Sequence, residues 1–361
     1  MNFGLSEEQV LLQRMLRRFH EESCPTTRVR AVMESASGHD PALWGEYANL
    51  GIPGLVIPAE HGGSGLELLD LALTAEELGY AAAPGPFLAV AMATVALLES
   101  GADGESRRWL ERLASGAAIG TIAFGEEGSC WSPEAFRTEA RDGKLRGTKP
   151  LVPYASSADF FVVAARDADG PGLWIVERGA PGVDIQPLRV VDQTRRLEAV
   201  ELRDVPARRL GGLPGLRRSL DAGLVLLAAD AYGGSRRCLD MTVGYVMQRE
   251  QFGQPIGAFQ AVKHQLATLA CDLEPSLSLV WYAAHAFDRI REESSRQAAM
   301  AKAHLGDLFD KVARDTTELH GGIGFTWEYD LQLWFRRSIF DRSFLGESGY
   351  HRLRAADLAG W

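Results

Sequence analysis

The chain has 361 residues and a formal charge of -10, which allows two or three domains around a large core and offers no basic face for nucleic acid. Its four cysteines, Cys24, Cys130, Cys238 and Cys271, form no C-x-x-C pair and have no clustered histidines. That pattern speaks against a zinc site and reads as small buried hydrophobes in a reducing, cytoplasmic setting. No run of eighteen apolar residues occurs, so no membrane span is expected.

Ser6 and Gln9 have capping-box spacing, and Val10, Leu11, Met15, Leu16 and Phe19 follow on one helical face, so the N-terminus reads as a helix rather than a signal peptide. A second helix carries Leu43, Trp44, Tyr47 and Leu50 and stops at Gly51. The glycine-rich stretch around Gly62 and Gly63 lacks the spacing of a phosphate loop and reads as a tight turn. Helices are expected at Leu66–Tyr80, Pro86–Ser100 and Ser106–Leu113, making 1–115 an α-helical domain.

From about Ala117 the texture changes to short apolar runs, Ile119–Phe124, Phe160–Ala165, Leu173–Val176 and Ala199–Leu202, punctuated by Asp-Gly and Pro-Gly turns. This spacing predicts an antiparallel β-domain, a small barrel or sandwich, over 116–212. The pattern then returns to long helices, Leu216–Arg249, Phe259–Arg291, Glu293–His320 and Glu328–Phe344, with a short one at Tyr350–Leu358, so 213–361 reads as a helical bundle. The fold class is α+β in the order α-domain, β-domain, bundle.

Between the first two bundle helices lies Arg249-Glu250-Gln251-Phe252-Gly253-Gln254-Pro255. This turn offers a fixed cation, an aromatic face and free N–H groups at a helix start, a combination that suits an anionic cofactor. Together with Gln260, the segment His320-Gly321-Gly322-Ile323-Gly324, and the N-terminal landmarks Pro58-x-Glu60-x-Gly62-Gly63 and Glu76-Glu77-Leu78-Gly79, it resembles the acyl-CoA dehydrogenase family over essentially the whole chain. The resemblance implies an FAD enzyme that oxidises the α,β bond of an acyl-CoA thioester: a carboxylate removes the α-proton and the β-hydride goes to flavin N5. It implies cofactor contacts from Arg249, Gln251, Phe252, Gly253, Gln260, Glu318, Gly321 and Gly322, several of them reaching a neighbouring subunit's FAD. It also implies an electron-transfer flavoprotein as acceptor and a tetrameric assembly, with no metal.

The sequence departs from the family pattern where the chemistry would sit. Leu345 occupies the usual position of the catalytic glutamate. The candidate bases are therefore Asp230, in an apolar stretch of the first bundle helix about two turns from where some relatives carry a relocated glutamate, and Glu347, two residues after Leu345. Leu151-Val152-Pro153 and Gly125-Glu126-Glu127-Gly128 replace the Trp-x-Thr and Thr-Glu-Pro-Gly segments that face the flavin ring, and Glu318 replaces a glutamine. The short chain and these losses resemble one subunit of a heteromeric enzyme for bulky acyl-CoAs, an α2β2 tetramer with a paralogue. A homotetramer, a catalytically silent acyl-CoA-binding partner and an oxidase or monooxygenase on the same scaffold are the alternatives.

Overall fold

The computed structural model describes residues 4–101, 104–128 and 131–361. Cys130 lies outside them. Six helices come first: α1 (Glu7–Ser23), α2 (Thr26–Glu34), α3 (Pro41–Asn49), α4 (Leu68–Ala81), α5 (Phe87–Glu99) and α6 (Gly104–Ala114). The Ser6 capping box forms, its hydroxyl accepting from Gln9 N at 3.2 Å and its N–H donating to Gln9 Oε1 at 3.0 Å. The sequence reading missed α2, whose Pro25 and two threonines mask a short amphipathic turn. Helix α5 is apolar on nearly every face and runs through the centre of the molecule.

The β-domain is one eight-stranded sheet built from β1 (Gly120–Ala123), β2 (Glu139–Arg141), β3 (Lys144–Pro153), β4 (Phe160–Asp167), β5 (Gly170–Glu177), β6 (Val183–Pro187), β7 (Leu197–Pro206) and β8 (Arg208–Gly212). Its order is β6-β7-β3-β2-β4-β5-β8, with β1 on β4. Most pairs are antiparallel, as expected, while β1 and β2 run parallel to β4. Strand β4 is buried on both faces: Phe160, Val162 and Ala164 point into the large helical core, whereas Phe161, Val163 and Ala165 point into a separate small one. The β3–β7 ladder slips between Lys149 and Val152, where Pro150 has no N–H to give.

The bundle comprises α7 (Leu213–Gln248), α8 (Gln260–Leu273), α9 (Ser276–Arg289), α10 (Arg291–His320), α11 (Leu331–Ser343) and α12 (Ser348–Leu358), with the two-residue strands β9 (Glu250–Gln251) and β10 (Gln254–Pro255) after α7. The single helix expected over Phe259–Arg291 is two, because Pro275 interrupts it. Helix α7 lies against α4 at van der Waals range: a Cβ on Gly233 would stand 1.9 Å from Glu76 O, and one on Gly79 2.1 Å from Asp230 O. Cys24 and Cys238 are buried as expected. Cys271 is exposed, because α8 buries only Leu269 and Leu273 on its inner side. Among the described residues no helix is long and apolar enough to cross a membrane.

Candidate functional site

Two projecting turns emerge from the same end of the α7–α10 pair. After α7, β9 and β10 form a minimal hairpin with Gln251 opposite Gln254, closed by Ile256 N donating to Arg249 O at 2.8 Å. Phe252 and Gly253 are its two tip residues, with φ of 54° and 81°. A turn with both tip residues left-handed favours Asn-Gly. Placing a phenylalanine there costs conformational energy, and the ring is 94% exposed with only an edge contact to Phe259. The turn thus holds an aromatic ring out from the chain's own core. Arg249, Gln251 and Gln260 are exposed beside it.

The second turn follows α10. Gly321 has φ 63° and ψ -144°, a conformation open to glycine alone. A Cβ at Gly321 or Gly322 would meet nothing, so their backbone faces open space. His320 is buried and stacks on Tyr245 with ring centroids 4.3 Å apart, while the Tyr245 hydroxyl donates to His320 O at 3.3 Å. That pair fixes the end of α7 against the end of α10 and keeps the hairpin and the Gly-Gly turn together. Glu318 stands exposed one turn earlier. The exposed cation and aromatic and the bare glycine backbone fit the diphosphate and adenosine half of FAD.

The two candidate bases, Asp230 and Glu347, stand in different surroundings. Asp230 is fully committed to an internal ion network: its Oδ1 accepts from Arg337 Nε at 2.6 Å, and its Oδ2 from Arg337 Nη2 at 2.6 Å and Arg195 Nη2 at 2.5 Å. Burial alone would raise its pKa, but Arg337 and then Arg195 outweigh burial and hold it below the ordinary carboxylate value. Asp341 beside it is pushed well above the usual range by burial and by the Asp230 charge. Arg337 also donates to Ala83 O at 3.1 Å and Thr194 Oγ1 at 3.0 Å. The network therefore joins α7, α11, the α4–α5 connection and the loop before β7. Asp230 ties these elements together through its two arginines. Glu347 is the N-cap residue of α12 and is exposed, two residues and a chain reversal away from the buried Leu345.

Leu345 itself sits at φ 62° and is 1% exposed. Its strained turn is clamped by its neighbours: His351 Nε2 donates to Leu345 O at 2.9 Å, and Lys302 Nζ donates to Gly346 O at 3.0 Å and Arg342 O at 2.8 Å. Burial pushes the Lys302 ammonium down to about 8 and, with Lys302 adding to the effect, the His351 imidazole to about 3. Two turns before Asp230 on α7 lies Gly223, where a Cβ would stand 2.7 Å from Leu345 Cδ1 and 2.6 Å from Met92 Cε. Gly223 and Leu345 thus adjoin each other.

The segments that would face a flavin ring are occupied otherwise. Lys149, wholly buried, donates to Glu126 Oε1 at 2.8 Å and Phe124 O at 3.1 Å, and Glu126 also accepts from Arg137 N and Thr138 N. Burial opposes ionisation of Glu126, but Lys149 and these donors hold its pKa below the usual value. Glu127 is exposed. Pro153 O accepts from Thr121 Oγ1 at 2.5 Å. The Trp131 ring lies against Gly125 and packs edge-on to Phe344 with centroids 5.1 Å apart. Among the described residues of these segments the Thr121 hydroxyl is spent on Pro153 O and an indole fills the space beside Gly125, an arrangement that does not fit the ring half of the cofactor. Sequence reasoning missed Trp131, Lys302 and His351. Only Lys302 left a signal, as a lone lysine in the alanine-rich run 298–303.

Comparison with known proteins matches two family models, "Acyl-CoA dehydrogenase, N-terminal domain" at residues 6–117 and "Acyl-CoA dehydrogenase, C-terminal domain" at residues 211–359. "Acyl-CoA dehydrogenase IpdE2" from Mycolicibacterium smegmatis is 35% identical over 345 residues, covering 95% of this chain and 96% of that one. A solved variant of the Tcur3481-Tcur3483 steroid ACAD superposes with a TM-score of 0.91 at 32% identity, covering 98% of both chains. The ChsE4-ChsE5 complex from Mycobacterium tuberculosis gives 0.90 at 26% identity, covering 100% of this chain and 99% of that one.

Proposed function

The chain belongs to the acyl-CoA dehydrogenase family, whose members are FAD-dependent oxidoreductases acting on CH–CH bonds, and on that premise we propose that it is the partner subunit of a heteromeric enzyme that desaturates bulky acyl-CoA thioesters. The observation that carries the proposal is the split between what is kept and what is lost. The hairpin keeps Arg249, Gln251, Phe252 and Gly253 and the second turn keeps Gly321 and Gly322, with Glu318 in place of a glutamine before it. The positions that would serve this chain's own flavin ring and proton transfer hold Trp131, Pro153, Leu345 and Gly223.

In this reading Arg249 places its guanidinium on the diphosphate of an FAD seated mainly on a paralogous subunit. Phe252 covers the adenosine side, Gln251 and Gln260 supply hydrogen bonds, and the Gly321–Gly322 backbone approaches without a side chain in the way. When bound, FAD supplies the hydride acceptor for the β-carbon. The carboxylate that removes the α-proton comes from the paralogue, since Leu345 cannot take a proton and Asp230 is held ionised between two arginines. The complexes named for two proteins among the structural relatives support a two-chain assembly. An electron-transfer flavoprotein as acceptor accords with the family.

The test is the flavin spectrum and native mass of the chain expressed alone and together with its paralogue, before and after addition of acyl-CoAs. The proposal expects a colourless or flavin-poor protein alone, and FAD that bleaches with thioester only in the mixed assembly. A flavin-replete, active homotetramer would refute it.

A further inference from the structure

Helices α9, α10 and α12 leave a groove of about 560 Å3 between them, within the roughly 300–1,000 Å3 range of small-molecule sites. It shares none of its lining with the pocket beside Leu345. Ala303 on α10 and Ala355, Ala356 and Ala359 on α12 line it, and side chains this small cannot fill the space between the helices. Leu279, Met300 and the Trp361 indole supply the larger apolar surface. Met300 is 41% and Trp361 91% exposed, so this hydrocarbon is open to a ligand.

The polar residues on the groove are Arg296, Gln297, His304 and Arg352, and no aspartate or glutamate lines it, in a chain whose formal charge is -10. Two of the four are committed elsewhere: Arg352 donates to Asp307, and Gln297 Nε2 donates to Glu293 Oε2 at 3.2 Å. Ser276 Oγ gives its one proton to Asp272 O at 2.9 Å and therefore accepts from His304 Nε2 at 2.8 Å, which pins that ring. Arg296 is different. Glu293 stands 3.6 Å from its guanidinium, beyond hydrogen-bond reach, and the arginine side chain is 38% exposed. Among the described residues nothing else pairs with it. The groove thus has one uncommitted cation, and His304 lies about 12 Å farther along α10 at 1.5 Å per residue.

We propose that this groove binds the anion of a free medium-chain fatty acid, with its carboxylate on Arg296 and its hydrocarbon along the alanines beside the Trp361 indole, and that no bond is made or broken there. The charges set the ligand class. A guanidinium fork pairs with a carboxylate through two parallel hydrogen bonds, and one free cation matches a single negative charge. A neutral hydrocarbon would displace water from Arg296 without replacing its hydrogen bonds. The site is separate from the cofactor turns and does not depend on the partner-subunit reading.

Calorimetric titration of the full chain with decanoate, below its micelle concentration and at fixed ionic strength, tests it. Saturable binding at one site per chain is expected. Arg296→Gln removes the charge at an accessible position and should weaken binding about tenfold or more. 1-Decanol, the same tail without the charge, should bind the wild type about tenfold more weakly than decanoate and should not distinguish Arg296→Gln from it. Ala356→Trp fills the groove from a half-buried position and should abolish binding, with circular dichroism confirming the fold. Absence of saturable binding to the wild type, or wild-type affinity in Arg296→Gln, overturns the proposal, as does equal affinity for decanol and decanoate. Native mass is read in parallel: self-association that Ala356→Trp disrupts, without decanoate binding, would make the groove an interface between copies and overturn it too.

Discussion

Replacing Asp230 by asparagine separates a structural carboxylate from a catalytic one. The side chain makes three charge-assisted hydrogen bonds of 2.5–2.6 Å to two arginines, one of them wholly buried. Removing one partner of a buried ion pair strands the other charge and costs about 3–5 kcal/mol. Asp341 moderates this: it is kept protonated by burial and by the Asp230 charge, so when Asp230 is neutralised it ionises and takes over part of the arginine pairing. The single variant should therefore lie at the lower end, about 3 kcal/mol, and Asp230→Asn with Asp341→Asn should cost about 2 kcal/mol more. For 361 residues, at about 2.1 cal/mol/K of unfolding entropy per residue, the transition falls by about 1.3 °C per kcal/mol, giving drops of about 4 °C and 7 °C. Differential scanning calorimetry reads both. Asp230→Asn with an unchanged transition and a selective loss of thioester-dependent flavin bleaching would refute the structural role and restore Asp230 as a base. Two substitutions whose costs simply add, each at full value, would refute the exchange of roles between the carboxylates.

Other consequences follow from the same geometry. Arg249→Ala and Phe252→Ala remove exposed groups and should leave the melting transition of this chain within about 1 °C, while lowering FAD retention by the mixed assembly about tenfold or more, as seen by flavin fluorescence after gel filtration. Gly233→Ala would force a Cβ to 1.9 Å from Glu76 O; an α4–α7 shift costing about 2–3 kcal/mol is expected, and a neutral result would mean the helices separate freely. Glu76 is pushed up to about 8 by burial and by Glu77. Because its folded pKa exceeds the unfolded one, the folded state binds the extra proton between about pH 4.5 and 8, so stability is lost as pH rises through that window. Glu76→Gln should be near neutral in melting temperature at pH 5 and stabilising by about 2 kcal/mol at pH 8.5; no pH dependence of the difference would mean Glu76 is already ionised.

The helical periodicity, the Ser6 cap and the two projecting turns were legible in the chain because each is a local statement: a face, a cap, a glycine at positive φ. The ion network around Asp230 was not legible, for the opposite reason. Its sequence neighbours are apolar, Leu226 to Ala231, and suggest a lone carboxylate in a greasy wall. The arginines that hold it come from 35 residues earlier and 107 later, and no period or motif in α7 announces them. The break at Pro275 was readable in principle, but the apolar spacing on either side runs on in phase and hides it. Trp131 follows a residue pair outside the described segments, in a stretch with no regular pattern, so its place against Gly125 could come only from the fold.

The losses around Leu345 are arranged in a way that random decay would not produce. A subunit that had merely lost its base would have no reason to keep the strained turn that positions it, yet Leu345 is held at φ 62° by Lys302 and His351 on two consecutive carbonyls. Burying Lys302 as a cation with two neutral acceptors is costly enough to depress its pKa to about 8. The conformation it secures therefore still has a use. With leucine at that position, the turn contributes a hydrocarbon side chain to the pocket lined by Leu220, Leu224 and Leu345. In the partner-subunit reading proposed above, the same backbone that would aim a base makes a wall instead.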